Sequence, residues 1–543
     1  MKILIKLSML LVITGILAAC TSEDAQQKNE TELPGSNSFV TFSGRQPKVN
    51  PQQPAKSRTT ATHTFGNTAQ VLWEATDKIW VQASDGQFYQ SEAANFAISA
   101  TPTDHSRANF RLSQGHYTTP NTEVRYVGTS TNANTVTIAA TQTQASPNDF
   151  SHLGTAGDCG TATAHSGDRE AGDYEFTLTH KASYLCFVPR CMNTDLAPNI
   201  FLTKITVTAN KPIAGKYDFT NGTLIGKTPV ASSSNTITLT TSNFSLNTQV
   251  SSVETNGAYM VIAPGKYNFT ISYTIKDPTT NVEGDIVKTL SNFDCKEGDI
   301  NDITAWIEKD LEDVTGTYYM WDAQQDYWAG HDRGADGKYL RGLAVNEIDM
   351  PNASPTTGSP RWYNPVYAYK VSKPATHSAN QQPNVNLMCH WAIPDWDQAH
   401  WDSNKLWFGY GHLQKGGIWI RKRTSPPMVN KDWDFWGEDF RKNGLEQTYV
   451  PAALSPNNNA SNNHYTLRMP LPAGQESNFF FLPASGYGIG NRMRDIGRGG
   501  HYWTSTPSSG SHTDYAFYFY FNQSEIHVRA WVRTVGSRIA IFY

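Results

Sequence analysis

From Thr59 to about Leu311 the chain is written in short runs that alternate apolar and polar residues, a period of two that confines it to strands. Ile205-Thr-Val-Thr208, Thr236 to Thr241 and Tyr267 to Ile275 are examples, and turn signals such as Asn221-Gly222 and Pro264-Gly265 separate the runs. Thr, Val, Ile and Tyr suit a pleated, half-buried surface. Long helical periodicity is missing, so roughly 250 residues of short strands predict two β-sandwich domains, 59–190 and 191–312. Composition then shifts. Three of the fifteen tryptophans (Trp73, Trp80, Trp306) precede residue 313, leaving twelve for the last 231 residues. The change predicts a different domain type over 313–543 rather than a third sandwich, in a protein that is mainly β overall.

Upstream, Lys2 and Lys6 precede an apolar run from Leu7 to Ala19. That run is too short for a bilayer, which needs about 20 apolar residues, but suits a secretory signal over 1–19. Leu17-Ala-Ala-Cys20 resembles the lipobox of bacterial lipoproteins. The resemblance implies lipidation of Cys20 and tethering to the outer membrane; an ordinary cleaved signal beside a chance cysteine is the alternative. Residues 20–58 are polar and read as a spacer or propeptide, apart from a short strand candidate at Phe39 to Phe42. Charged residues make up 17% and the net charge is −4, which gives no footing for nucleic acid or an anionic membrane surface. Besides Cys20 there are Cys159, Cys186, Cys191, Cys295 and Cys389, an odd number for an exported chain. Pairing within the first four and burial as small hydrophobes both stand open, and no spacing reads as a zinc site.

Three stretches of the first half resemble the fimbrillins, the type V pilins. Trp73-x3-Asp77-x-Ile79-x-Val81 is similar to that family's early W-x(3)-D-x-I-x-V strand. Phe176-x-Leu-x-His180-x-Ala182 resembles its F-x-L-x-H-x-A strand, and Ile213-x-Gly215-x-Tyr217 its I-x-G-x-Y turn. Read from the residues alone, each is core packing, His180 included. The resemblance implies transthyretin-like sandwiches, export as a lipoprotein, and cutting by an arginine-specific protease. The cut frees an N-terminal strand, and another pilin subunit's strand replaces it by β-strand addition. Arg58, where spacer meets sandwich, is the first candidate for the cut and Arg45 the second; the strand removed would include Phe39 to Phe42.

The last hundred residues carry Phe479-Phe-Phe-Leu-Pro483, Tyr502-Trp-Thr-Ser-Thr506, the aromatic run Tyr515 to Phe521, and Arg533-Thr-Val-Gly536. In that order they are similar to FISUMP-type domains, which implies a C-type-lectin-like α+β fold over 313–543. Glu525 to Arg533 alternates: Ile526, Val528, Ala530 and Val532 form a core face, while Glu525, His527, Arg529, Trp531 and Arg533 form a face toward solvent or ligand. Tyr515 to Phe521 is apolar on both faces and is expected to be central, and Tyr502-Trp503 to pack. The E-P-N and W-N-D motifs of calcium-dependent lectins are missing, and Gly334 and Leu343 break the EF-hand pattern around Asp332. No cofactor or metal is implied; calcium stays open, with no motif to support it. The candidate ligand cluster is Trp396, Asp397, Trp401 and Asp402, where indoles can stack on sugar rings and carboxylates can take hydroxyls; core tryptophans beside solvated aspartates are the plainer reading.

There is no H-E-x-x-H and no G-x-S-x-G, and adjacent Cys389 and His390 on a strand would face opposite ways. The sequence reads as a non-enzyme. It is expected to be a tip or minor pilus subunit, moored to the outer membrane and then carried in the surface fimbrium, with its last domain binding an extracellular glycan or a host or bacterial surface protein. The alternatives are a permanently anchored surface binder and, third, a polysaccharide hydrolase.

Overall fold

The computed structural model describes residues 39–47, 63–66, 71–96, 105–166, 173–340, 354–365, 375–380, 399–422, 471, 474–507, 513–524 and 526–540. Cys20, Arg58, Cys389, Trp396 and Asp397 lie outside these residues. The described chain is mainly β, and its α-helices α1 (Leu153–Ala156) and α2 (Val253–Asn256) are single turns.

The strands begin with β1 (Val40–Arg45), β2 (Trp80–Gln82), β3 (Phe88–Gln90), β4 (Arg107–Leu112) and β5 (Asn121–Tyr126). They continue with β6 (Thr135–Ile138), β7 (Thr141–Gln144), β8 (Gly160–Ser166), β9 (Asp173–Thr177) and β10 (Thr179–His180). Eight of these form one sheet in the order β3-β2-β5-β8-β9-β1-β4, with β10 joined to β8. Alternation places Phe42, Ala108, Phe110, Tyr174 and Phe176 on its inner face around Trp73, whose indole meets Phe110 at 5.0 Å and Tyr126 at 5.7 Å, both edge-on. Asp77 is half-buried near its edge, and Ile79 and Val81 are fully buried, so the first fimbrillin-like motif is core, as its residues predict.

The next strands are β11 (Ser183–Arg190), β12 (Phe201–Ala209), β13 (Ala214–Asp218), β14 (Ala231–Ser234) and β15 (Thr236–Ser245). After them come β16 (Ala258–Ile262), β17 (Gly265–Asp277), β18 (Val282–Cys295) and β19 (Ile300–Trp306). Sheets β16-β11-β19, β18-β17-β12-β15-β7 and β14-β13-β6 enclose a second, larger apolar core. The expected boundary at 190/191 falls inside this unit. β6, β7 and β11 precede it, yet β6 pairs with β13, β7 with β15 and β11 with β16 and β19. The cause is that β11, buried on both faces, needs a strand on each edge to satisfy its backbone, and both come from later in the chain. Gly215 in the third motif adopts φ +136°, where a Cβ would sit 2.8 Å from Pro229, so glycine is required there. Cys159, Cys186, Cys191 and Cys295 are free and buried; of the two readings left open, they follow the small-hydrophobe one.

The remaining strands are β20 (Glu312–Asp313), β21 (Tyr318–Tyr319), β22 (Ala399–Gly409), β23 (His412–Arg421), β24 (Phe479–Pro483) and β25 (Ser485–Ile489). The last five are β26 (Arg492–Ile496), β27 (Gly499–Pro507), β28 (Tyr515–Asn522), β29 (Ile526–Val532) and β30 (Ser537–Arg538). They make a four-stranded sheet, β20-β22-β23-β24, and a seven-stranded one in which β28 lies between β27 and β29, the central place its two apolar faces predict. Regular helix among the described residues of 313–543 is limited to 3-10 turns such as Ser378–Asn380 and Glu476–Asn478. Tyr502 and Trp503 are fully buried. Arg533 departs from the solvent- or ligand-facing row expected for it: it is buried, its guanidinium lies 4.3 Å from the Trp321 ring, and it donates to the carbonyls of Tyr515 and Asn364. The β22–β23 hairpin docks on the second core through Leu406, Phe408 and Leu413, with buried Asp277 accepting from His412 Nδ1 and Leu413 N, both at 3.0 Å.

Candidate functional site

β1 comes from the part of the chain read as a spacer, yet it sits inside the first sheet. It runs antiparallel to β4, with Phe42 opposite Phe110 and Arg45 opposite Arg107, and parallel to β9, with Phe42 beside Tyr174 and Arg45 beside Thr177. The two strands it separates belong to the sandwich proper. If β1 left, β4 and β9 would each expose an unpaired edge.

Alternation sorts its residues. Phe42, Gly44 and Gln46 are buried, while Thr41, Ser43 and Arg45 are half-buried on the other face. The Phe42 ring stacks on Tyr174 at 4.7 Å and meets Tyr117 edge-on at 5.3 Å. Ser43 Oγ donates to Asn109 Oδ1 at 2.8 Å. Arg45 makes an exposed 3.4 Å ion pair with Glu175, worth little in water. Both sides of the peptide bond after Arg45 are engaged: Arg45 O accepts from Leu178 N at 3.0 Å, and Gln46 N donates to Ser106 O at 2.9 Å.

Where β1 ends, a buried polar chain begins. Gln46 Oε1 lies 2.9 Å from His180 Nε2, and His180 Nδ1 lies 2.9 Å from Asp158 Oδ1, which also accepts from the Tyr184 hydroxyl. Burial disfavours charge on His180, but the charge and hydrogen bond of Asp158, with Asp77 beyond, outweigh it and raise the imidazole pKa. This is the satisfied core histidine its sequence context predicts, with a partner 134 residues away. Beside it is a cavity of about 330 Å³ lined by Gln46, Glu74, Asp77, Lys78, Tyr126 and Asp158, among others. Burial raises Asp77 to about 6, opposed by hydrogen bonds from Glu74 N and the Tyr126 hydroxyl.

A second cluster lies where Cys186 of β11 is in register with Asp302 of β19. Together with His63, they bring a thiol, an imidazole and a carboxylate within 4.8 Å of one another. Such a donor set suits a borderline cation. Here its members already bond to one another and to the backbone: His63 Nε2 is 2.7 Å from Asp302 Oδ1, Gly66 N donates to Oδ2 at 2.6 Å, and burial and then Asp302 push the thiol well above its usual range. Its evident role is to tie residues 63–66 to the second core.

Of the candidate ligand cluster, Trp401 and Asp402 are described, both half-buried on β22. Asp402 Oδ1 accepts from Asn404 N and Lys405 N at 2.9 Å, and Oδ2 from Trp419 Nε1 at 3.0 Å. Trp401 meets Phe521 edge-on at 6.4 Å. The carboxylate is therefore engaged in shaping an irregularity in the strand pairing. Sequence reasoning did not single out Gln46, Gly44 or Asp158. The alternating Phe42-x-Gly44-x-Gln46 was the available signal, had the strand been extended beyond Phe42.

No family model and no curated protein matches the chain. Among solved structures, the chain is similar over about half its length to proteins described as cell adhesion proteins from Bacteroides. For one from Bacteroides ovatus the identity is 11%, covering 49% of this chain and 91% of that one, with a TM-score of 0.31. For one from Bacteroides uniformis the identity is 15%, covering 49% and 94%, with a TM-score of 0.28. For one from Bacteroides fragilis the identity is 10%, covering 49% and 92%, with a TM-score of 0.29.

Proposed function

We propose that the chain is an adhesion subunit of a surface pilus of the type V kind, exported as a lipoprotein on Cys20 and assembled by strand exchange. The observation that supports this reading is β1, the earliest described strand, which fills a slot between β4 and β9 and leads into residues 48–62, where the spacer meets the sandwich. A cut after Arg58 severs β1 from the body it completes, and a strand from another pilin subunit takes its place. A cut after Arg45 meets a bond whose carbonyl and N–H are both hydrogen-bonded, to Leu178 N and Ser106 O. Residues 313–543 then act as the binding part, a C-type-lectin-like module for an extracellular glycan or a surface protein, at the tip or as a minor subunit. No catalytic step belongs to this reading.

Mass spectrometry of the N-terminus in assembled surface material tests it. The expected first residue is Thr59. Material that begins uniformly at lipidated Cys20 sinks the strand-exchange reading and leaves a permanently anchored binder.

A further inference from the structure

We infer that the slot occupied by β1 is a sequence-selective receptor for an extended strand of a separate subunit, reading the pattern aromatic-x-glycine-x-amide. The inference rests on the strand-exchange reading and names the partner chemistry which that reading leaves open.

Three inward positions set the pattern. At position 42 the slot is an aromatic clamp: Phe42 has no exposed surface between Tyr174 and Tyr117. A branched aliphatic or polar residue cannot reproduce that stack. At position 44 the limit is steric. A Cβ there would lie 2.5 Å from Phe176 Cζ and 3.0 Å from Cε1 and Cε2, closer than real Cβ contacts. Gly44 has no positive φ, so space and not backbone freedom demands glycine. Phe176 is itself packed against Trp73 at 6.3 Å and Phe110 at 6.2 Å, which limits its retreat.

At position 46 the reader is polar. His180 is buried and its Nδ1 is taken by Asp158, so its Nε2 depends on whatever side chain occupies this position. An apolar residue leaves a buried nitrogen unpaired, a costly omission. A glutamine carries both a carbonyl and an NH₂ group and can serve the ring in either protonation state. The outward positions carry less: Thr41 is half-buried, Ser43 makes one hydrogen bond to Asn109, and Arg45 pairs with exposed Glu175. Backbone pairing along both edges would then supply affinity for any strand, and positions 42, 44 and 46 would choose among strands.

The test uses the full chain carrying one site for a sequence-specific protease within residues 50–56. After cutting, fluorescent peptides spanning residues 37–48 compete with the resident strand, and loading is read by anisotropy. The wild-type peptide and a Thr41→Lys peptide are expected to load alike. Gly44→Val and Gln46→Leu peptides should load roughly tenfold to a hundredfold more weakly, the loss set by the clash and by the unpaired His180. Equal loading of all four overturns the inference and leaves strand exchange intact. If no peptide loads, the exchange reading fails. The same substitutions in the uncut chain separately test what the slot demands of its occupant, by amide exchange in β4 and β9. Gly44→Val and Gln46→Leu should lower protection there while Thr41→Lys does not; equal protection in all three overturns the inference.

Discussion

Phe42→Ala is the perturbation that asks whether β1 is a separable part of the sandwich. Phe42 is fully buried, stacked on Tyr174 and edge-on to Tyr117. Truncating such a ring costs about 3–5 kcal/mol, from lost transfer energy plus the cavity left behind. A unit this large need not unfold in one step, so a single melting temperature is a poor readout. Amide exchange resolves the question locally, because segments open with their own free energies. If β1 is released independently, a loss of about 4 kcal/mol lowers protection roughly a thousandfold, at about 1.4 kcal/mol per factor of ten. The loss should fall on the amides of β1, β4 and β9 that bond across the slot. Phe42→Leu should recover only part of it, because leucine refills volume but not the stack on Tyr174. Unchanged protection in β4 and β9 would show that the ring does not anchor the strand. An equal loss in β12 and β17, in the other core, would show that β1 cannot leave without unfolding the rest, and would refute the reasoning.

Three further outcomes are expected. Asp322 is fully buried and accepts from Asn364 Nδ2 and from the backbone N–H groups of Thr376, His377 and Ala379, so Asp322→Ala strands several donors; it should lower stability by several kcal/mol and expose residues 375–380 to limited proteolysis. Burial raises Asp77 from 3.8 to about 6, so its neutral form contributes stability that is complete below about pH 4 and is lost as pH rises through 6; Asp77→Asn removes that dependence, and the wild-type-minus-variant difference in Tm should fall across this window and then level off. Cys159, Cys186, Cys191 and Cys295 should resist a thiol reagent in the native chain and all react in denaturant without prior reduction, as peptide mass mapping would show.

Much of the fold was legible because the period-two pattern is local. Trp73, Ile79 and Val81 read as core and are fully buried, Val81 within β2 and the other two in the chain before it; Tyr515 to Phe521 read as central and has a strand on either edge. Partners across long separations were not legible. Nothing near Thr135 to Gln144 announces that β6 and β7 leave the first sheet for strands 75 or more residues later, and the division at 190/191 missed this. Of the candidate site, Phe39 to Phe42 read as a strand, and Arg45 turns out to be the last residue of β1. Gly44 and Gln46 acquire meaning only beside Phe176 and His180, residues that only the fold brings near. Arg533 was misplaced because it falls just past the end of β29, where Trp321, two residues beyond β21, covers its guanidinium.

The placement of β1 also bears on the order in which the molecule can be completed. Arg45 and Glu175 are 130 residues apart, and β4 and β9, the two walls of the slot, are both made after the strand they enclose. Synthesis therefore delivers β1 before either wall, and it can be seated only after Thr177 has emerged. The entropy of closing so long a loop rises slowly with length but must be met before any pairing returns it. The earliest described strand is thus among the last of its sheet to find its place, and every newly made copy must cross a moment in which its slot stands open.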